Sequence, residues 1–364
     1  MQNLFRNRNK LGCVIDNNFS RYGSSTKNRY RYTDVPYVTF KMTRNGSFSS
    51  QTVGSDTGDT FWDFGDGTPL YKGVSPSHTF SNGAVKTVKV YCSRSRIAGG
   101  VLFRFSIYTG NAGLTGTIDL SHTNNLAGTI YLDSTSNITE VKLPATEQQN
   151  ITNFLIEGSK VTSLDLSCIT KCSAYLIDSN TLLTTVTFGT AKQNITSIYI
   201  NSCALTGTLD FTPLGTYFGG YVRSDSNTNL TSVSLPTSSR TFTALYFNNC
   251  NLTGTLDIST LSNIGADFRC QSNTGLTTLT LPSSIAQSFT IFNAGACALN
   301  LASVNAVLSK LNTYYSSHAP TQNLTLTLNG GTNSSPTGGV FNTDLLNLQS
   351  VFTSAGKIFN YSIN

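Results

Sequence analysis

The sequence predicts a mostly β protein: an N-terminal extended arm over residues 1–34, a strand-rich segment over 35–108, whose sandwich form is implied by the resemblance given below, a β-solenoid of about eight rungs over 109–300 and an α/β C-terminal cap over 301–364. Three observations predict it. Only 12% of the residues are charged, and Thr, Ser, Asn and Gly dominate the polar set, a turn-rich and strand-rich composition. An apolar residue followed by Thr recurs every 22–25 residues from Leu114 to Leu276, a period that belongs to stacked structural repeats. Apolar residues at helical spacing gather only beyond residue 300.

The arm carries Arg6, Arg8, Lys10, Arg21, Lys27, Arg29 and Arg31 against Asp16 and Asp34, which is five of the chain's six net positive charges. Tyr22, Tyr30 and Tyr32 interleave with no helical period, so the arm is expected to be ordered by docking on a protein partner. A solvated tail comes second and nucleic acid third. No window reaches eighteen uninterrupted apolar residues, and the N-terminus has no apolar run of signal-peptide length. Neither membrane insertion nor export through a leader is expected.

In the next segment, Trp62 and Phe64 alternate inward around Asp63, and Gly65-Asp66-Gly67 supplies a tight turn. The phrase Trp62-Asp63-Phe64-Gly65-Asp66-Gly67-Thr68, with His78-Thr79-Phe80 after it, resembles the PKD domain, an immunoglobulin-like β-sandwich that serves as a spacer or binding module. Asp56, Asp59, Asp63 and Asp66 are read as turn-stabilising residues in preference to a Ca²⁺ site.

Each repeat holds two short alternating stretches. One row is Ile118/Leu120, Val141/Leu143, Leu164/Leu166, Val186/Phe188, Leu209/Phe211, Val233/Leu235, Leu256/Ile258 and Leu279/Leu281. The other is Ile130/Leu132, Phe154/Ile156, Tyr175/Ile177, Ile198/Ile200, Tyr221/Arg223, Leu245/Phe247, Phe268/Cys270 and Phe292/Ala294, where Arg223 alone breaks the apolar rule. Two short strands cannot close a core, so the units must stack. The frame Ile195, Ile198, Ile200, Cys203, Leu205 reads LxxLxLxxCxL and recurs at Phe242 and Phe289. It resembles the leucine-rich repeat, in which a Cys or Asn inside the turn satisfies backbone groups. LTGTLD resembles the plant-type repeat, and LTSVSLP the repeats of BspA-like surface proteins. Asn180 and Ser159 stand at the same turn position. Cys203, Cys250 and Cys297 lie two rungs apart, beyond the reach of a disulfide, and are expected as buried thiols; Cys168 and Cys172 lack the companions of a metal site. Asp119, Asp165, Asp210 and Asp257 recur on alternate rungs, read as tolerated outward charges in preference to a cation stripe.

Beyond residue 300, Leu301, Val304, Val307, Leu308 and Leu311 predict a helix that closes the stack. A strand at 323–328, a second helix around Leu345–Phe352 and a last strand, KIFNYSIN, follow. This order resembles the C-terminal segment of phage tail and other virion proteins that carry solenoids. His78, His122 and His318 are scattered, and no catalytic fingerprint appears, so neither catalysis nor a cofactor nor a bound metal is expected.

Together these resemblances imply a structural virion protein of a tailed bacteriophage: a capsid- or tail-attached decoration, fibre or adhesion protein assembled in the host cytoplasm. Its arm would dock on other virion proteins, it would be oligomeric in the particle, and its solenoid would meet a host-surface glycan or protein. The alternative is a bacterial cell-surface adhesin. The expected contact row is the outward residue between paired apolar positions: Tyr131, Leu155, Leu176, Tyr199, Val222, Tyr246, Arg269 and Asn293.

Overall fold

The computed structural model describes residues 35–49, 52–55, 60–92, 103–107, 113–123, 125–132, 137–261, 263–285 and 289–364; the seven basic residues of the arm, with Asp56 and Asp59, lie outside them. A solenoid of about eight turns dominates the chain. Its front is a twelve-stranded sheet, beginning Thr52–Ser55, Phe103–Ser106, Leu126–Leu132 and Asn150–Ile156. It continues through Ala174–Leu176, Ser197–Tyr199, Gly220–Arg223 and Thr241–Tyr246, and ends at Asn263–Arg269, Ile291–Asn293, Leu324–Thr327 and Phe359–Ser362. Thr52–Ser55 is antiparallel to its neighbour, and every later pairing is parallel.

The register aligns Ile130, Phe154, Tyr175, Ile198, Val222, Leu245, Phe268, Phe292 and Leu326 in one inward column, each at most 1% exposed. A side chain of this size contributes roughly 1.5–3 kcal/mol on full burial, which a single rung secures only when neighbours cover both faces.

The alternation at Gly220–Arg223 differs from the sequence expectation. Val222 is fully buried, while Tyr221 and Arg223 face outward. The inward pair here is Val222 and Ser224, and the buried Ser224 hydroxyl donates to the Tyr246 carbonyl at 3.3 Å. A polar residue at an inward position hid the register, and a slip of one residue exchanges the two faces of a strand.

The back strands pair only in twos: Ser163–Leu166 with Thr185–Phe188, Thr206–Asp210 with Asn229–Ser234, and Thr253–Asp257 with Gly275–Thr280. The first back pair, Leu114–Asp119 with Asn137–Lys142, joins a six-stranded sheet with Val38–Thr43, Val85–Cys92, Thr60–Asp63 and Tyr71–Lys72. Both sheets therefore run from the N-terminal segment into the solenoid. Between them, Phe40, Phe48, Trp62, Phe64, Phe80 and Phe105 form a buried aromatic cluster with ring centroids 5.8–6.5 Å apart. Trp62 Nε1 donates to the Gly73 carbonyl at 2.8 Å.

The turns after the front strands repeat at twice the rung period. Asn180, Asn227, Asn273 and Asn333 alternate with Cys203, Cys250 and Cys297, and all seven are buried. Each Asn bridges two rungs. Asn227 Nδ2 donates to Ile200 and Ser224 carbonyls at 2.9 Å each, and its Oδ1 accepts the Leu205 amide at 3.4 Å. Asn273 treats Phe247, Cys270 and Leu252 in the same way, as Asn333 does Ala294, Leu328 and Leu299. Each Cys thiol instead donates to two carbonyls, Cys250 to Ser224 and Asn248 at 3.4 and 3.6 Å. Burial pushes the Cys203 thiol up to about 12 and the Cys250 thiol to about 11. The seven cysteines among the described residues are unbridged.

Helix α1 (Leu301–Ser317) starts at Asn300, whose side chain accepts the Ser303 amide, and buries Val304, Val307, Leu308, Leu311 and Tyr315; Leu301 is exposed. Helix α2 (Thr343–Ser354) starts in the same way at Asn342 and buries Leu345, Leu348 and Phe352. Helix α1 does not close the stack as expected. Each helix lies between successive parallel front strands, so α1 and α2 replace the back strands, and the sheet ends on Phe359–Ser362. No helix among the described residues is long and apolar enough to cross a membrane.

Candidate functional site

Parallel strands in register place equivalent outward side chains about 4.8 Å apart on neighbouring rungs, so a front column is a continuous ladder of contacts. Of the expected contact row, Tyr131, Leu155, Leu176, Tyr199, Tyr246, Arg269 and Asn293 stand in one outward column and are half-buried. Val222 does not. Its place is taken by Arg223, which the register aligns with Tyr199 on one side and Tyr246 on the other.

The middle four rungs form an organised cluster. Tyr199, Tyr221 and Tyr246 zigzag across adjacent strands with ring centroids 5.5 Å apart, at interplanar angles of 67° and 73°, the edge-to-face arrangement favoured by aromatic quadrupoles. The guanidinium carbons of Arg223 and Arg269 lie 5.9 and 5.0 Å from the Tyr246 ring centroid, within cation–π range. Arg223 grips Asp225 through Nε at 3.0 Å and Nη2 at 3.2 Å. Arg269 grips Asp267 at 2.8–3.1 Å. The Tyr246 hydroxyl donates to the same Asp267 carboxylate at 2.6 Å.

These contacts fix the charge states. Bonds to Asp225 and Asp267 raise the Arg223 and Arg269 guanidiniums further above neutrality. Burial, followed by the Asp267 contact, raises the Tyr246 hydroxyl, which stays a donor. The face thus offers rigid aromatic and guanidinium surfaces whose two cations are matched by two anions. Sequence reasoning missed Tyr221, Arg223, Asp225 and Asp267. The signal was present as Arg223-x-Asp225 and Asp267-x-Arg269, since residues two apart on a strand share a face and opposite charges there pair.

The aspartate stripe on the back has a local role. Asp119, Asp165, Asp210 and Asp257 each accept, through Oδ1, the amide two residues on, at 2.9 Å, folding the turn that leaves the back strand. In the N-terminal segment, Asp63 accepts the Gly65 amide at 2.9 Å. Asp66 accepts the Thr68 hydroxyl and amide at 2.7 and 3.1 Å and meets His78 Nε2 at 2.7 Å, joining the two phrases singled out there. Among the described residues, no three His, Cys, Asp or Glu side chains converge in metal-binding geometry. No known family model, curated protein or solved structure matches this chain.

Proposed function

We propose that this chain is a non-catalytic display scaffold: a structural protein of a tailed-phage virion, capsid- or tail-attached, whose front sheet is the surface offered to a host-surface glycan or protein. The observation that carries the reading is the Tyr199–Tyr221–Tyr246 ladder clamped by Arg223–Asp225 and Arg269–Asp267. Tyr and Arg are the side chains that most often anchor interfaces, and their immobilisation before contact lowers the entropy lost on binding. The virion setting is supported by the sequence at both ends, the WDFGDGT and HTF phrases that resemble PKD domains and the C-terminal order that resembles virion solenoid proteins. The basic arm is then the docking segment toward other virion proteins, in an oligomeric particle.

Mass spectrometry of purified particles of the encoding phage tests this reading and is expected to find the chain at many copies per particle. Its absence from the particles, with recovery in a bacterial envelope fraction instead, would replace the reading with a cell-surface adhesin. For the surface itself, the Arg223→Ala/Arg269→Ala variant should lose attachment of the purified chain to host cells.

A further inference from the structure

The inward column of the front sheet loses its cover at the last rung. Leu324, Leu326 and Leu328 are at most 1% exposed, whereas Phe359, Tyr361 and Ile363, which the register sets beside them, are only half-buried. Phe359 and Tyr361 pack on the core, with ring centroids 5.5 Å apart and Phe359 5.4 Å from Phe352 of α2, but among the described residues no rung covers their other side. Gln349 Nε2 donates to the Tyr361 hydroxyl at 3.5 Å, so the α2 flank of Leu346, Gln349 and Thr353 borders the same end, and Leu346 is 44% exposed. None of these six side chains is charged. The strand edge is equally open. The Leu324 and Leu328 amides donate to the Ile358 and Ser362 carbonyls at 3.0 and 2.8 Å, so strand alternation turns the backbone groups of Phe359, Tyr361 and Ile363 toward the free edge. Edge strands are ordinarily blunted by proline, inward-pointing charge or a bulge, and stacked repeats end on a polar outer face. Phe359–Ser362 has none of these, and it pairs with Leu324–Thr327 without a register shift.

We propose that this end face is a dimer interface, at which a second copy of the chain adds its own Phe359–Ser362 antiparallel and continues the front sheet through a two-fold axis beside Tyr361. Such an axis sets Phe359 opposite Ile363 of the second copy and Tyr361 opposite its own equivalent. In that register every N–H and C=O turned to the free edge meets a partner. The half-buried side chains then cover one another, and α2 meets its copy antiparallel behind the sheet. Both front faces look the same way and stay free for whatever they contact. Three features select a second copy as the occupant. The strand edge is complementary to itself about Tyr361. The uncharged face gives like surfaces nothing to repel, and gives a nucleic acid or an acidic lipid surface nothing to attract. Head-to-tail stacking lacks a receiving edge, because the opposite strand of the sheet, Thr52–Ser55, runs antiparallel to its neighbour and its Val53 amide already donates to the Val74 carbonyl at 2.9 Å. A strand over residues 357–364 at about 3.3 Å per residue, with a sheet-and-helix depth of about 20 Å, is roughly 500 Å² a side, near the lower bound for a specific interface. The dimer is therefore reversible, with a dissociation constant in the micromolar range.

Sedimentation of the full chain over about 1–100 µM tests this. Wild type is compared with Leu346→Lys, at a position the monomer leaves exposed, and with Tyr361→Pro, which removes an N–H turned to the free edge. Wild type is expected to pass from monomer to dimer across this range. Both variants are expected to dimerise at least about tenfold more weakly, with an unchanged circular dichroism spectrum. If Tyr361→Pro does not fold, Leu346→Lys carries the comparison. Asn360→Cys/Ser362→Cys reads the register. Position 360 of one copy and 362 of the other form a non-hydrogen-bonded pair with Cα atoms about 4.5 Å apart, within disulfide reach, so mild oxidation should give a covalent dimer that a thiol reductant separates. Wild type that stays monomeric at about 100 µM overturns the proposal. So does dimerisation that survives unchanged in Leu346→Lys, or a dimer that the cysteine pair fails to lock. Open-ended polymers in place of a dimer overturn the two-fold contact.

Discussion

Asn and Cys occupy the same turn position but differ in capacity. An Asn amide donates twice and accepts strongly, whereas a thiol donates weakly and accepts hardly at all. Replacing Asn227 with Ala strands the Ile200 and Ser224 carbonyls and the Leu205 amide in the interior and should cost about 3 kcal/mol of unfolding free energy. Cys250→Ala removes two longer sulfur contacts and leaves a small gap, a loss of about 1 kcal/mol. Urea unfolding of the two variants in parallel measures the difference, and equal losses would show that the amide ladder carries no special weight. A substitution in the opposite direction is available at Tyr315. Its ring packs 4.8 Å from Phe352 between α1 and α2, but its buried hydroxyl has no partner. Tyr315→Phe keeps the packing, removes the orphaned group and should raise stability by about 1 kcal/mol, read as a higher midpoint of thermal unfolding.

At the scale of elements, the glycine of the LTGTLD phrase and the aspartate of WDFGDG each shape a strand end. Gly207 adopts φ +65° where the pairing of Thr206–Asp210 with Asn229–Ser234 slips by one residue, a bulge built on a left-handed glycine. No atom lies within 4 Å of the position a Cβ would take, so Gly207→Ala isolates backbone strain and should cost about 1–2 kcal/mol, measured by denaturant titration. Burial alone would raise the Asp66 carboxyl, but bonds from Thr68 and His78 outweigh it and hold the group down from 3.8 to about 2. The unfolded chain therefore takes up this proton first. The stabilisation is complete above about pH 4 and drains away as pH falls toward 2. In a pH series of melting curves, Asp66→Asn should be less stable than wild type at pH 6, and the gap should narrow across that acid window.

The legibility of these elements followed their periodicity. The back-row phrases, the Cys turns with Asn180 and the helices at Val304–Leu311 and Leu345–Phe352 announced themselves through spacing set by one local rule, which a sequence records directly. The column at Val222 misled because Ser224 sits inside and Tyr221 outside; only pairing to Ser197–Tyr199 fixes that face. Helix α1 misled in position, since whether a helix ends a stack or lies behind it depends on where the following strand pairs. The Tyr246 cluster was half legible, because Arg223–Asp225 and Arg269–Asp267 are local pairs while their convergence on one ring is set by stacking.

Over the whole molecule, the repeat unit is two rungs, and hydrogen-bond supply explains why. In a Cys rung the amide two residues past the turn, such as that of Leu205 or Leu252, is met only by the Asn of the following rung. In an Asn rung the corresponding chain closes on itself, Leu183 to the Asn180 carbonyl and Leu230 to the Asn227 carbonyl, so it offers nothing to a second Asn. The back strands obey the same pairing, each bulged LTGTLD strand bonding the plainer strand that follows. Two deletions separate this account from one in which any rung is interchangeable. Removing residues 203–249 joins Ser202 to Cys250, which keeps Cys after Asn and leaves the Thr253–Asp257 and Gly275–Thr280 pair whole. Removing only residues 203–226 joins Ser202 to Asn227, so that two Asn rungs adjoin, Asn227 Oδ1 faces an amide already taken, and Asn229–Ser234 loses its partner. The shorter deletion excises less core, yet it should be the more damaging, unfolding at lower temperature and exposing dye-binding apolar surface, while the longer one retains a single cooperative transition. Nearest-neighbour stacking alone ranks the two the other way, because stability in such arrays grows with the number of rungs retained.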